Sequence, residues 1–127
     1  MITGFKEQTR ELDYFEKHEC VPVLVEVLKA RTKNSPITAA AITDGFKSHF
    51  TQKYGTGSRP VVGGARVRKL INYIRRNGLV WFVAANSKGY YVTKDKTELK
   101  RYADSLTERI EAQQVILDQV NHAIRQL

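Results

Sequence analysis

Residues 65–77, ARVRKLINYIRRN, place Val67, Leu70, Ile71 and Ile74 at i, i+3, i+4 and i+7, the spacing that gathers apolar side chains on one side of an α-helix. That stripe must face a core, and Gly78 directly after it is the residue type best suited to ending a helix. At about 100° per residue, Ala65, Lys69, Asn72 and Arg76 fall opposite the stripe, with Arg68 and Tyr73 on its flanks. The helix therefore has to lie at a surface, aliphatic side inward and basic side outward.

The flanking segments say what the stripe packs against. Downstream, Leu79 to Ala84 (LVWFVA) and Gly89 to Val92 (GYYV) are β-branched and aromatic runs of strand length. Joined by Ala85-Asn86-Ser87-Lys88, they predict a β-hairpin with a polar, basic tip. Upstream, Asp13 and Glu16 have the spacing of a capping box. The helix they open runs towards Arg31, with Leu24, Val27 and Leu28 on its apolar side. Pro22 interrupts it, so two shorter helices meeting near Cys20 are an alternative. Asn34-Ser35-Pro36 is a turn, Ile37 can pair as a very short strand, and Thr38 can cap a helix from Ala39 to about Gln52 with Ile42, Phe46 and Phe50 inward. Tyr54 to Gly64 holds four glycines and a proline, a loop composition. The expected class is α+β, mainly helical, in the order helix, short strand, helix, loop, basic helix, hairpin, which is that of a winged helix-turn-helix.

From Asp95 or Thr97, either of which can cap, a final helix can run unbroken to Leu127. Leu99, Leu106, Gln113, Val120 and Leu127 share one heptad position, and Ala103, Ile110, Leu117 and Ile124 share the position four residues on. Such a seam exceeds the needs of one small domain. The expected organisation is a winged-helix domain over residues 1–94 and a C-terminal helix over 95–127 that forms a coiled-coil homodimer, with Gln113 setting register. Packing of that helix back over the first helix is the other possibility.

Charge points to the ligand. Residues 1–44 carry six basic and seven acidic side chains, and residues 95–127 carry five and six. The fifty residues between, 45–94, carry ten Lys and Arg and no Asp or Glu, a field that favours a polyanion. A basic helix of this diameter fits the major groove of B-DNA, and a hairpin tip with Asn86, Ser87 and Lys88 has the donors to reach the adjacent backbone. Double-stranded DNA is the expected partner, with Arg66, Arg68, Lys69, Asn72, Tyr73 and Arg76 at the groove and Lys88 on the hairpin. Arg59, in the glycine-rich loop, is expected on a phosphate, the other reading being a solvated connector with no role.

Other chemistries lack their residues. His18, Cys20, His49 and His122 are scattered without metal-ligand spacing, and no nucleophile, base and carboxylate converge in the acid-free centre. Neither an enzyme, nor a cofactor or metal, nor a small-molecule substrate is expected. Trp81, Phe82, Tyr90 and Tyr91 can stack on bases, but in a hairpin half of them must turn inward. The lone Cys20 lies in an apolar run and is expected as a buried thiol. No apolar run reaches membrane-spanning length and the first residues lack a secretory pattern, so a cytoplasmic, nucleoid-associated protein is expected.

The run Ala65 to Arg75 (ARVRKLINYIR), then Asn77-Gly78-Leu79, then Ala85 to Val92 (ANSKGYYV), resembles small winged-helix DNA-binding proteins of bacterial phages and prophage-like elements. Thr9-Arg10-Glu11-Leu12 with Tyr14 and Glu16 is similar to that family's entry into its first helix, and Ser105-Leu106 with Arg109-Ile110 to the start of its trailing helix. The likeness covers most of residues 9–111, its specific parts being the basic helix and the Ser-Lys-Gly-Tyr hairpin. It implies DNA binding in phage regulation, including transcription regulation, or in replication. The alternative is an interaction module of a phage replication or packaging complex in which nucleic acid is secondary. The segment Tyr54 to Gly64 departs from the family in being far longer than the usual tight turn.

Overall fold

A computed structural model describes residues 10–56 and 63–127. The chain is mainly helical with one small antiparallel sheet. It divides into two compact units, Met1–Thr93 and Lys94–Leu127.

In the first unit the capping box forms in both directions. The Glu16 N–H donates to Asp13 Oδ1 at 2.8 Å and the Asp13 N–H to Glu16 Oε1 at 3.1 Å. A π-helical segment, Glu16–Cys20, then leads without a break into α1 (Val21–Lys29). Pro22 does not split the rod. The wider turn just before it ends with the Val21 N–H on the Glu16 carbonyl. Pro22 thereby sits in the first turn of α1, where its missing N–H is tolerated. Cys20 is a fully buried thiol.

Thr38 caps α2 (Ala39–Tyr54), its hydroxyl accepting from the Ala41 N–H at 3.0 Å. Ile42, Phe46 and Phe50 of α2 meet Val21, Leu24 and Leu28 of α1 and Val67, Leu70, Ile71 and Ile74 of α3 (Gly64–Asn77) in one apolar cluster. Phe15 adds a ring tilted on Phe50, centroids 5.0 Å apart. At the far end of α3, Gly78 takes a left-handed conformation, φ 60°, and its N–H and that of Leu79 return to the Arg75 and Ile74 carbonyls.

The hairpin is shorter than the sequence suggests. β1 (Val83–Asn86) and β2 (Gly89–Val92) pair from Val83↔Val92 to Asn86↔Gly89 around a two-residue turn, Ser87-Lys88. Residues 79–82, expected in the first strand, precede the ladder: the Leu79 N–H closes the helix end on the Ile74 carbonyl, and the Phe82 carbonyl accepts from the Thr93 N–H beyond β2, while Ala85 and Asn86, expected in the turn, join β1. Ile37 makes the expected minimal third strand: its N–H and carbonyl both bond to Tyr90 at 2.8 Å. Gly89, at φ 132°, permits this closeness, since a Cβ there would stand 2.4 Å from the Ile37 oxygen.

The second unit is α4 (Lys96–Gln126), 31 residues long and capped by Asp95, which accepts from the Thr97 and Glu98 N–H groups. No described helix is long and apolar enough to cross a membrane.

Candidate nucleic-acid interface

α3 sits with its stripe inward because Val67, Leu70 and Ile74 are fully buried, and this decides what its other residues can do. Arg68, Asn72 and Arg76, at i, i+4 and i+8, are all exposed and form one crest. Lys69 lies beside them, half-exposed, its Nζ 3.5 Å from the Glu11 carboxylate at the surface. Ala65 begins the same side.

Neither flank of the crest is open. On one, the entry to the first helix covers Arg66, which is only 1 % exposed. Its Nε and Nη2 donate to the two Glu16 oxygens at 3.0 and 2.7 Å, and its Nη1 to the Arg10 carbonyl at 2.7 Å. Burial alone would push the Glu16 carboxyl up, but hydrogen bonds from Arg66, the Asp13 N–H and Arg10, with the charge of Arg66, hold it below the ordinary value. Arg66 is thus a structural ion pair, not a groove residue, which corrects the expectation from its place in the basic run. A residue about 90° from the apolar stripe is exposed only if nothing packs on that flank, and here residues 10–16 do. Tyr73, on the same flank, is half-buried against the core.

On the other flank, Arg75 turns towards the hairpin. Its Nε donates to the Val83 carbonyl at 2.8 Å and its guanidinium lies 5.5 Å from the Phe82 ring centre. It joins α3 to β1, and its Nη1 also donates to Oδ1 of the crest residue Asn72 at 3.4 Å.

The hairpin turn divides its labour. The Asn86 side chain accepts the Lys88 N–H at 2.8 Å, holding the turn, while Ser87 and Lys88 are exposed. Arg59 lies outside the described residues. The structure therefore gathers Arg68, Lys69, Asn72 and Arg76 on one crest, leaves Ser87 and Lys88 on a separate tip, and withdraws Arg66. It also adds Lys17, an exposed residue whose Nζ stands 6.0 Å from the Tyr73 ring centre. Nothing in the linear pattern marks Lys17, because the proximity exists only once the π-helical segment lies along α3.

Phe82, Tyr90 and Tyr91 are half-buried or buried, and Trp81 is exposed. Among the described residues no group of three or more His, Cys, Asp or Glu could hold a metal ion.

The crest can present guanidinium, ammonium and carboxamide donors to an extended anion, with a second set on the hairpin tip. No protein-family model, curated protein or solved structure matches the chain, so the meaning of this surface rests on its own residues.

Proposed function

We propose that the first unit is a winged helix-turn-helix that binds double-stranded DNA, with α3 in the major groove and the Ser87-Lys88 turn as the wing on the adjacent backbone. The observation that carries this reading is the crest Arg68, Asn72 and Arg76, exposed along a helix whose opposite side closes the core. It belongs to a fifty-residue stretch without a carboxylate. Arg68 and Arg76 can each pair with a phosphate or a guanine edge, Asn72 with an adenine edge, and Lys88 with a phosphate. The protein acts by binding, not by catalysis, in a phage or prophage regulatory or replication setting and in the nucleoid-containing cytoplasm.

The test is a salt titration on random-sequence duplex. Each lost phosphate contact lowers the slope of log K against log salt by about 0.9. The double variant Arg68→Ala, Arg76→Ala should flatten it by up to about 2 while leaving the thermal midpoint near wild type, since neither side chain is in the core. An unchanged slope would falsify the assignment of the crest.

A second reading, an assembly module for which DNA is secondary, draws on the apolar residues exposed along α4. It predicts the same oligomer by size exclusion with and without duplex at low salt, and no comigrating DNA.

A further inference from the structure

α4 displays apolar side chains where a soluble helix ordinarily carries polar ones. Leu106, Ile110, Leu117, Val120 and Ile124 are each between 46 and 66 % exposed. With Gln113 they recur at alternating steps of four and three, so all lie on one side of the helix. A contiguous stripe of this kind marks an interaction surface.

We propose that α4 pairs with α4 of a second copy as a parallel, in-register, two-stranded coiled coil over residues 103–127, with Gln113 as its one polar layer. This goes beyond the DNA-binding reading and stands without it.

Properties of the seam select a second copy as the occupant. A strict seven-residue repeat keeps two identical seams in contact along their whole length once the helices supercoil. Ile110 and Ile124 occupy one set of layers with Ala103 and Leu117, and Leu106 and Leu127 the other with Val120; the Ile and Leu layers are the combination that favours two parallel strands, and Leu117 and Val120 are the layers that depart from it. The positions flanking the seam hold no carboxylate, and Lys100 and Arg109 are their only charges. Two copies therefore meet without acid–acid repulsion, and in the parallel arrangement Arg109 of one copy lies near Gln114 of the other. Ile116, also exposed, widens the strip that pairing covers.

Gln113 selects the orientation. Its neighbour Gln114 gives its amide to Asp118 at 2.9 Å, whereas no described residue hydrogen-bonds the Gln113 side chain. In a parallel, in-register pair the two Gln113 residues share a layer, and each carboxamide can donate to the other. In the antiparallel pair with full overlap, layers of one kind face layers of the other, and Gln113 meets Leu117. A buried amide against an aliphatic side chain forfeits its hydrogen bonds, so that arrangement is disfavoured.

The experiment uses the full chain without DNA, so its outcome is separate from that of the salt titration. Sedimentation equilibrium should give twice the 14.5 kDa chain mass. A monomer at tens of micromolar, or a trimer or tetramer, overturns the proposal. Leu106→Cys and Ile124→Cys proteins are then mixed in a glutathione redox buffer, where buried Cys20 stays out of the exchange. Parallel pairing gives only the two self-linked products, because each position faces its own copy. A 106–124 crossed disulfide as the main product overturns the orientation. Gln113→Leu, which keeps the seam apolar, should still dimerise, melt at a higher temperature and allow the crossed product. If it yields self-linked species alone, Gln113 does not set the orientation.

Discussion

The pair Glu16 and Arg66 is a buried contact whose loss has a large consequence. Both side chains are almost fully buried and joined by two hydrogen bonds, so removing one leaves the other as a charge in the interior. Glu16→Gln should cost about 3 kcal/mol of stability near neutral pH, read as a shift in urea midpoint. The pH dependence has a definite sign. The carboxyl is held below its ordinary 4.5 in the folded protein, so its contribution is complete above that value and is lost as pH falls through the folded value. The gap between wild type and Glu16→Gln should narrow on acidification below about pH 4.5, and a constant gap would contradict the assignment. One half of this cluster is legible in sequence and the other is not. Asp13 and Glu16 announce a capping box by a spacing of three residues, whereas Arg66 finds Glu16 across 50 residues, and a local periodicity places it outside.

At the scale of elements, what periodicity controls was readable and what tertiary neighbours control was not. The stripe and stop of α3 emerge as expected because aliphatic spacing and a left-handed glycine act locally. The first strand begins at Val83 instead of Leu79 because its length depends on β2 and on a helix end that takes the Leu79 N–H. Propensity cannot see either. Pro22 likewise admitted one helix or two, and the π-helical segment before it decides for one. The hairpin offers a test of how such neighbours act. Gly89→Ala places a methyl group against the Ile37 backbone, 2.4 Å from its oxygen, at a φ that side chains rarely adopt. The Ile37–Tyr90 bridge should open, with amide exchange at those two positions faster by tenfold or more while α4 keeps its protection. Equal protection of both amides in the variant would refute this account of the glycine.

For the whole molecule, the proposed DNA binding and the proposed parallel pairing together would bring two basic surfaces to one duplex. Parallel pairing brings the two N-terminal ends of α4 together, and with them the chains that lead in from the first units. Two copies of α3 related by a two-fold axis should prefer an inverted repeat, its half-site centres about 34 Å or a multiple apart. Selection from random duplex should enrich such repeats, and enrichment of isolated half-sites alone would count against paired binding. The charge asymmetry behind this expectation is plain in the sequence, as is the outward side of Asn72 and Arg76, whereas Arg68 is expected on a flank and joins the crest only in the fold. Which cations are withheld from it became visible only in the fold, where Arg66 turns to Glu16 and Arg75 to the hairpin. That last diversion has an outcome of its own. Through Val83 and Phe82, Arg75 clasps the hairpin to the helix, so the two would meet the proposed DNA ligand as a single preset jaw. Between these two elements little ordering would remain to oppose the proposed capture of DNA.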